Sequence, residues 1–268
     1  MNPSRAPGLL LLPLALVLTA CQSVPYTGRS HLLMVSASEE HRMGEEAYRD
    51  LLKKARVSTD TEKLSLLRGV GKRIAAAADK PDFQWEFTLI EDDKQVNAFC
   101  LPGGKVAFYT GILPVTAGED GIAVVMGHEV AHALARHGAE RMSQGMLADF
   151  GGKALSVLLA DQPAGTRDLY AQAYGLGVGL GVLLPYSRAH ESEADRIGLI
   201  LMAKAGYDPA HALSFWKRMA AAAGGAGASS PLAGFMRTHP TDEKRQTQIS
   251  AWLPEVKEKY YRPAPAVR

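Results

Sequence analysis

Past residue 38 the apolar positions recur at helical spacing. Met43, Ala47, Leu51 and Leu52 mark one helix, and Leu64, Leu67, Val70, Ile74 and Ala78 mark a second that opens near Thr61. Ser38 before Glu39 and Glu40 reads as an N-cap followed by first-turn acids. From Phe83 the period drops to two, with Phe83, Trp85, Phe87 and Leu89 alternating with polar neighbours as in a strand. Two short β-rich runs follow, over 95–101 and 105–110. Pro102-Gly103-Gly104 between them supplies the positive φ angles of a tight hairpin. These runs predict a small antiparallel sheet of about three strands.

Helices then dominate. A turn or short helix over 111–117 leads to a long helix from about 120 to 141 or beyond, with Glu119 and Asp120 at its positive end and Ile122, Val125, Met126, Val130, Ala133 and Leu134 as apolar positions. The glycine- and alanine-rich stretch 145–184 predicts two helices joined at Asp161-Gln162-Pro163, and its run 175–181 is too short and glycine-rich for a membrane span. A helix from near Ser187 stops at Gly206, another follows Asp208-Pro209 to about 223, a loop covers 224–230, and a last helix spans 242–252. The whole is α+β and mostly helical.

The N-terminus adds a location. Arg5 precedes the apolar run Leu9 to Leu18, too short for a mature span but suited to a secretory leader. It ends Leu18-Thr19-Ala20-Cys21, which resembles a bacterial lipobox with Cys21 as the acylated first residue; the open alternatives are an ordinary leader or an uncleaved anchor. Gln22 at the next position resembles outer-membrane sorting. The expected organisation is a lipoprotein-type signal peptide over 1–20, a tether over 21–38, a domain over 39–255 and a loose tail over 256–268.

Composition mainly excludes. With 30 Lys and Arg against 28 Asp and Glu in 268 residues, there is no electrostatic case for a nucleic-acid partner. Two cysteines form no disulfide framework once Cys21 carries lipid, and Cys100 sits in apolar Ala98-Phe99-Cys100-Leu101 as a buried structural thiol.

The chemistry centres on His128-Glu129-Val130-Ala131-His132. Residues four apart on a helix lie about 40° apart around its axis, so the two imidazoles share a face and can grip one metal ion. Glu129, about 100° round from His128, can reach a water on that ion as a general base without ligating it. A catalytic zinc needs a third protein ligand. Ala135 and Gly138 stand where a metzincin motif demands Gly and His, and on a continuous helix His137 would fall about 180° from His128, as a solvated or capping histidine. Downstream, Glu191-Ser192-Glu193-Ala194-Asp195 places acids at 191 and 195 on one face. Spacing favours that pair, but leaves open which acid touches metal.

HEVAH followed by ESEAD, preceded by NAFCLPGGKVAFYTG and followed by RTHP, resembles the HtpX and CAAX-prenyl-protease-like gluzincin metallopeptidases, most of all their soluble membrane-associated members. The resemblance covers about 40–255 and implies a zincin-like fold and a zinc endopeptidase with one Zn²⁺ per chain. Residue by residue it implies His128, His132 and Glu191 as ligands, Glu129 as catalytic base and Asp195 as the acid orienting a ligand histidine. It further implies His239 as a gate or fourth ligand on a mobile loop, Arg245 as a salt-bridging residue, and Asn97 at the start of the strand that receives extended substrate. Glu193 has no motif role and reads as a solvated charge. The implied substrates are misfolded or unassembled envelope proteins. The implied site of action is the periplasmic face of the outer membrane, with a lipid anchor and the outer-membrane assembly machinery as a candidate partner. The competing expectation is chaperone-like binding with proteolysis gated off by His239.

Overall fold

The chain enters its domain through a hairpin. In the computed structural model, which describes residues 21–179, 184–224, 232–240 and 243–263, β1 (Cys21–Ser23) and β2 (Ser30–Leu32) pair antiparallel with Cys21 opposite Leu32. The leader over 1–20 lies outside the described residues. The tether expected over 21–38 is corrected: Val24 is buried, and Arg29 reaches Glu140 and Glu193 at 2.7 and 2.8 Å. Pro, Gly and Ser suit a tight turn as well as a tether, and the distinction rests on long-range ion pairs that local composition does not reveal.

Helix α1 (Ala37–Lys54) is capped by Ser36 rather than Ser38, its hydroxyl accepting from the Glu39 N–H at 3.2 Å. Helix α2 (Thr61–Ala78) is capped by Asp60 and buries Leu67, Val70 and Ile74 completely. Strands β3 (Glu86–Ile90), β4 (Ala98–Leu101) and β5 (Lys105–Tyr109) lie in the order β3-β5-β4. The β4–β5 hairpin is antiparallel around Gly103 and Gly104, at φ 84° and 89°. The all-antiparallel expectation is corrected for β3, which runs parallel to β5. Val106, Ala107 and Phe108 are fully buried, so β5 takes the centre and half-buried β4 is left at the edge.

A 3₁₀ turn (Thr110–Ile112) and α3 (Leu113–Thr116) lead into α4 (Glu119–Leu134), the central helix, buried at every position from 121 to 131. The continuous helix expected to 141 breaks at Arg136, which takes a left-handed φ of 55°, and α5 (His137–Leu158) starts afresh. Neither Gly nor Pro marks the break. Arg136 is held there by its own side chain, which donates to Glu40 at 2.6 Å and to the Val35 carbonyl at 2.9 Å.

Helix α6 (Ala164–Val178) rests on α5 where the Tyr174 hydroxyl donates to the Ala148 carbonyl, and this helix pair leaves Phe150, Val157, Leu158, Leu169 and Leu176 exposed. Helix α7 (Leu184–Lys204) packs along α4, and Gly206 at φ 83° ends it. Then come α8 (His211–Gly224), α9 (Leu232–Thr238) and α10 (Glu243–Tyr260). Most of the 224–230 loop lies outside the described residues. The loose tail expected from 256 is corrected, because α10 runs on past Pro254 to Tyr260 with Val256 buried. Among the described residues no helix is long and apolar enough to cross a membrane.

Candidate active site and metal centre

Three elements converge on one point. His128 and His132 project from α4, Glu191 comes from α7, and His239 follows α9 with its N–H bonded to the Phe235 carbonyl at 2.8 Å. One donor atom from each of the four lies within 4.8 Å of the other three. The Nε2 atoms of His128 and His132 are 3.1 Å apart. Glu191 spans the group, with Oε1 3.2 Å from His132 Nε2 and Oε2 3.3 Å from His128 Nε2. His239 Nδ1 is 2.9 Å from Glu191 Oε2 and 3.1 Å from His128 Nε2.

The donor set asks for a cation. Asp195 Oδ1 lies 3.0 Å from His128 Nδ1 and can only accept, so that nitrogen carries hydrogen and Nε2 turns a lone pair on the other donors. Burial alone would lower the His128 pKa, but hydrogen bonds to Asp195 and Glu191 outweigh it and raise it to about 9, a measure of how strongly these carboxylates hold positive charge. Burial likewise opposes ionisation of Glu191, and hydrogen bonds from His128, His132 and His239 overcome it, keeping the carboxyl well below the usual range. Burial pushes His132 well below the ordinary histidine value. Two imidazoles and a carboxylate, with a further imidazole beside them, fit a divalent ion of the zinc type.

Glu129 sits one residue round the helix from the donors. It is buried, its Oε1 has no hydrogen-bond partner among the described residues, and His239 Nε2 lies 3.5 Å from that oxygen. Desolvation raises its pKa. Arg245 donates to Asp195 at 2.6 Å, lies 3.6 Å from Glu191 and stacks its guanidinium 3.3 Å above the Trp216 ring. Trp216 and the His128 ring also meet in a T-shaped arrangement, centroid to centroid 5.9 Å.

Two sequence expectations are corrected. His137 is fully buried, with Nδ1 2.8 Å from His132 Nδ1 and Nε2 3.0 Å from Glu193 Oε2. The break at Arg136 resets the helical phase that had placed it opposite His128. Desolvation, only partly offset by Glu193, lowers its pKa to about 4, so the ring is neutral at physiological pH. Glu193 is also buried and accepts from Arg29 and from Thr27 at 2.5 Å. Arg196, three residues further along the same helix, bridges to Glu255. Sequence reasoning missed Arg29, Glu140 and His190 altogether. Glu140 gathers Arg29 at 2.7 Å and His190 at 3.0 Å, and His190 stacks on His137 with centroids 4.2 Å apart. No local pattern announces contacts this distant in sequence.

Asn97 precedes β4, its side-chain oxygen accepting from the Ala98 N–H at 3.0 Å and its carbonyl from the Tyr109 N–H at 3.0 Å. β4 is a terminal strand of the sheet, paired with β5 on one side and with no strand on the other among the described residues. Cys100 on it is half-buried, and desolvation, with the charge of Glu129 beside it, raises its pKa and so disfavours the thiolate. Cys21 opens β1, and its side chain lies outside the described ones.

The model of peptidase family M48 matches residues 63–253. The chain is 41% identical over 246 residues to the mitochondrial metalloendopeptidase OMA1 of Schizosaccharomyces pombe, covering 90% of this chain and 69% of that protein. It is 32% identical over 257 residues to its counterpart in Saccharomyces cerevisiae, covering 90% and 72%. The β-barrel assembly-enhancing protease of Escherichia coli is 28% identical over 231 residues, 84% of this chain and 46% of that one.

Proposed function

The chain belongs to peptidase family M48 and is a metalloendopeptidase, and from that premise we propose that His128, His132 and Glu191 hold a zinc ion that serves hydrolysis of peptide bonds in misfolded or unassembled envelope proteins. The observation that carries the reading is the convergence of four donor atoms within 4.8 Å beside the unpartnered Oε1 of buried Glu129.

When bound, zinc supplies Lewis acidity, polarising a carbonyl oxygen and bringing the pKa of water from about 15.7 towards about 7. Glu129 Oε1 takes the proton of the attacking water and returns it to the leaving amine. Its desolvation makes it a stronger base than a surface carboxylate. Asp195 keeps the hydrogen of His128 on Nδ1 and so keeps Nε2 turned to the ligand cluster.

The unpaired edge of β4, starting at Asn97, accepts substrate as an added strand. Main-chain hydrogen bonds bind any extended sequence, which suits unfolded chains. The lipobox-like stretch ending at Cys21 supports a lipid anchor and a place at the periplasmic face of the outer membrane. The Escherichia coli relative, named for enhancing β-barrel assembly, supports a β-barrel assembly machinery as the setting.

Glu129→Gln tests the mechanism: zinc content stays at one per chain while casein hydrolysis drops by about 10²–10⁴-fold. Retained hydrolysis rejects Glu129 as the base. The contact of His239 with Glu191 favours a second reading, in which the closed site makes binding the main task. If Glu129→Gln suppresses aggregation of unfolded envelope proteins as well as wild type does, and casein is cleaved appreciably only by His239→Ala and not by wild type, that reading prevails.

A further inference from the structure

We propose that His137, Glu193 and Arg29 form a positioning relay behind His132, so that the N-terminal hairpin is a working part of the metal centre; this rests on reading His132 as a ligand. The direction of every hydrogen bond in the relay is forced. Glu193 accepts from Arg29 Nε and Nη2 at 2.9 and 2.8 Å and from the Thr27 hydroxyl, and as a carboxylate it can only accept from His137 Nε2 at 3.0 Å. The hydrogen of His137 is therefore on Nε2, and its Nδ1 offers a lone pair. His132 Nδ1, 2.8 Å away, must donate to it. The lone pair of His132 is then left on Nε2, the atom that faces His128 and Glu191.

A carboxylate at the far end of such a chain makes the ligand imidazole more basic as well as fixing its tautomer. Asp195 does this for His128 through one bond; Glu193 does it for His132 through an intervening ring. The relay is clamped. His190 stacks on His137 at an interplanar angle of 16°, and Arg29 joins Glu193 to Glu140, which also holds His190. Arg29 and Thr27 both come from the hairpin of β1 and β2, more than 100 residues before His132 in sequence. A hairpin held only for stability would not require donors and acceptors to alternate without a break from Arg29 to the ligand nitrogen.

The test is zinc affinity of the purified full chain, measured by competition with a fluorescent chelator, together with melting of the metal-free protein. His137→Phe and Glu193→Gln are expected to weaken zinc binding by about 10–100-fold, and Arg29→Ala by about 10-fold, the range found for groups that orient metal ligands. In a His132→Ala background, His137→Phe should cause no further loss. If Glu193→Gln fails to fold because Arg29 loses its partner, His137→Phe decides, since it leaves the Arg29–Glu193 pair intact. Wild-type zinc affinity in His137→Phe, with His132→Ala weakened, overturns the relay alone. So does a loss from His137→Phe that persists without His132. Unchanged affinity in His132→Ala overturns the relay and the ligand assignment beneath it.

Discussion

Gly127 and Gly198 meet where the two helices that carry the candidate metal ligands cross: a Cβ on Gly198 would lie 3.1 Å from both the Gly127 carbonyl carbon and the His128 nitrogen. The close approach lets Glu191 and Asp195 on α7 reach His128 on α4. Gly198→Ala forces the helices apart by a few tenths of an ångström at that point. We expect a loss of about 1–3 kcal/mol in stability from overpacking, with weaker zinc binding besides. Gly69→Ala on α2, where a Cβ meets nothing within 4 Å, is the control and should gain up to about 1 kcal/mol from helix propensity. Thermal melts and zinc titrations of both variants check the contrast.

As the proposed gate, His239 would hold the position that an attacking water and a substrate carbonyl need. Its Nδ1 lies as near Glu191 as a hydrogen-bond partner, and its ring is tilted against Phe235 with centroids 4.6 Å apart. A gate of this kind reduces apparent substrate affinity by the fraction of molecules it keeps shut. His239→Ala should therefore raise casein hydrolysis several-fold, chiefly through KM, while zinc affinity falls as one donor is lost. Equal KM values for the two proteins would remove His239 from the gate.

The grouping of the candidate site was legible in the chain wherever one helix carried its residues. His128, Glu129 and His132 declare themselves by spacing, and Glu191 with Asp195 follows from the same i, i+4 geometry once the family resemblance chooses between them. His137 was misplaced because its phase was counted along a helix that a left-handed Arg136 interrupts, and that conformation is imposed from Glu40 and Val35, about a hundred residues earlier. Glu193 was misread for the same reason: its partners Thr27 and Arg29 sit in a segment whose composition suggested a tether. The direction of β3 was hidden because period two reports which face is buried and not which neighbour a strand joins.

Acid should unfold the metal-free protein partly through Glu140. Its side chain is 4% exposed; burial would raise its pKa, but hydrogen bonds from Arg29, then His190 and His31, hold it well below the ordinary value of 4.5. The folded carboxyl stays ionised where the unfolded one protonates. Its contribution is thus complete above about pH 5 and is lost progressively as the pH falls below 4.5 towards the depressed folded value. Glu140→Gln should flatten this part of the melting-temperature profile. At pH 7 it should cost about 3–5 kcal/mol, because Arg29 loses a buried partner, or roughly 10 °C in melting temperature for a domain of this size. Parallel acid slopes in the two proteins would assign the pH dependence elsewhere.

Asp195 has two hydrogen-bonded neighbours, and substitution separates its two tasks. It accepts from His128 Nδ1 at 3.0 Å and from Arg245 at 2.6 Å while 4% exposed. Asp195→Asn keeps the shape but loses the charge, so the imidazole becomes less basic and its tautomer is no longer enforced. Zinc affinity should drop by about 10–100-fold. Hydrolysis at limiting zinc should fall in step and recover largely at saturating zinc, because Glu129 and the β4 edge are untouched. Asp195→Ala should lose more, since it also leaves the Arg245 side of the pair to rearrange against Trp216, 3.3 Å below the guanidinium. The measurement is zinc dissociation and casein hydrolysis on the same samples across a zinc series. If Asp195→Asn binds zinc as tightly as wild type, Asp195 serves Arg245 alone and His128 is oriented by packing.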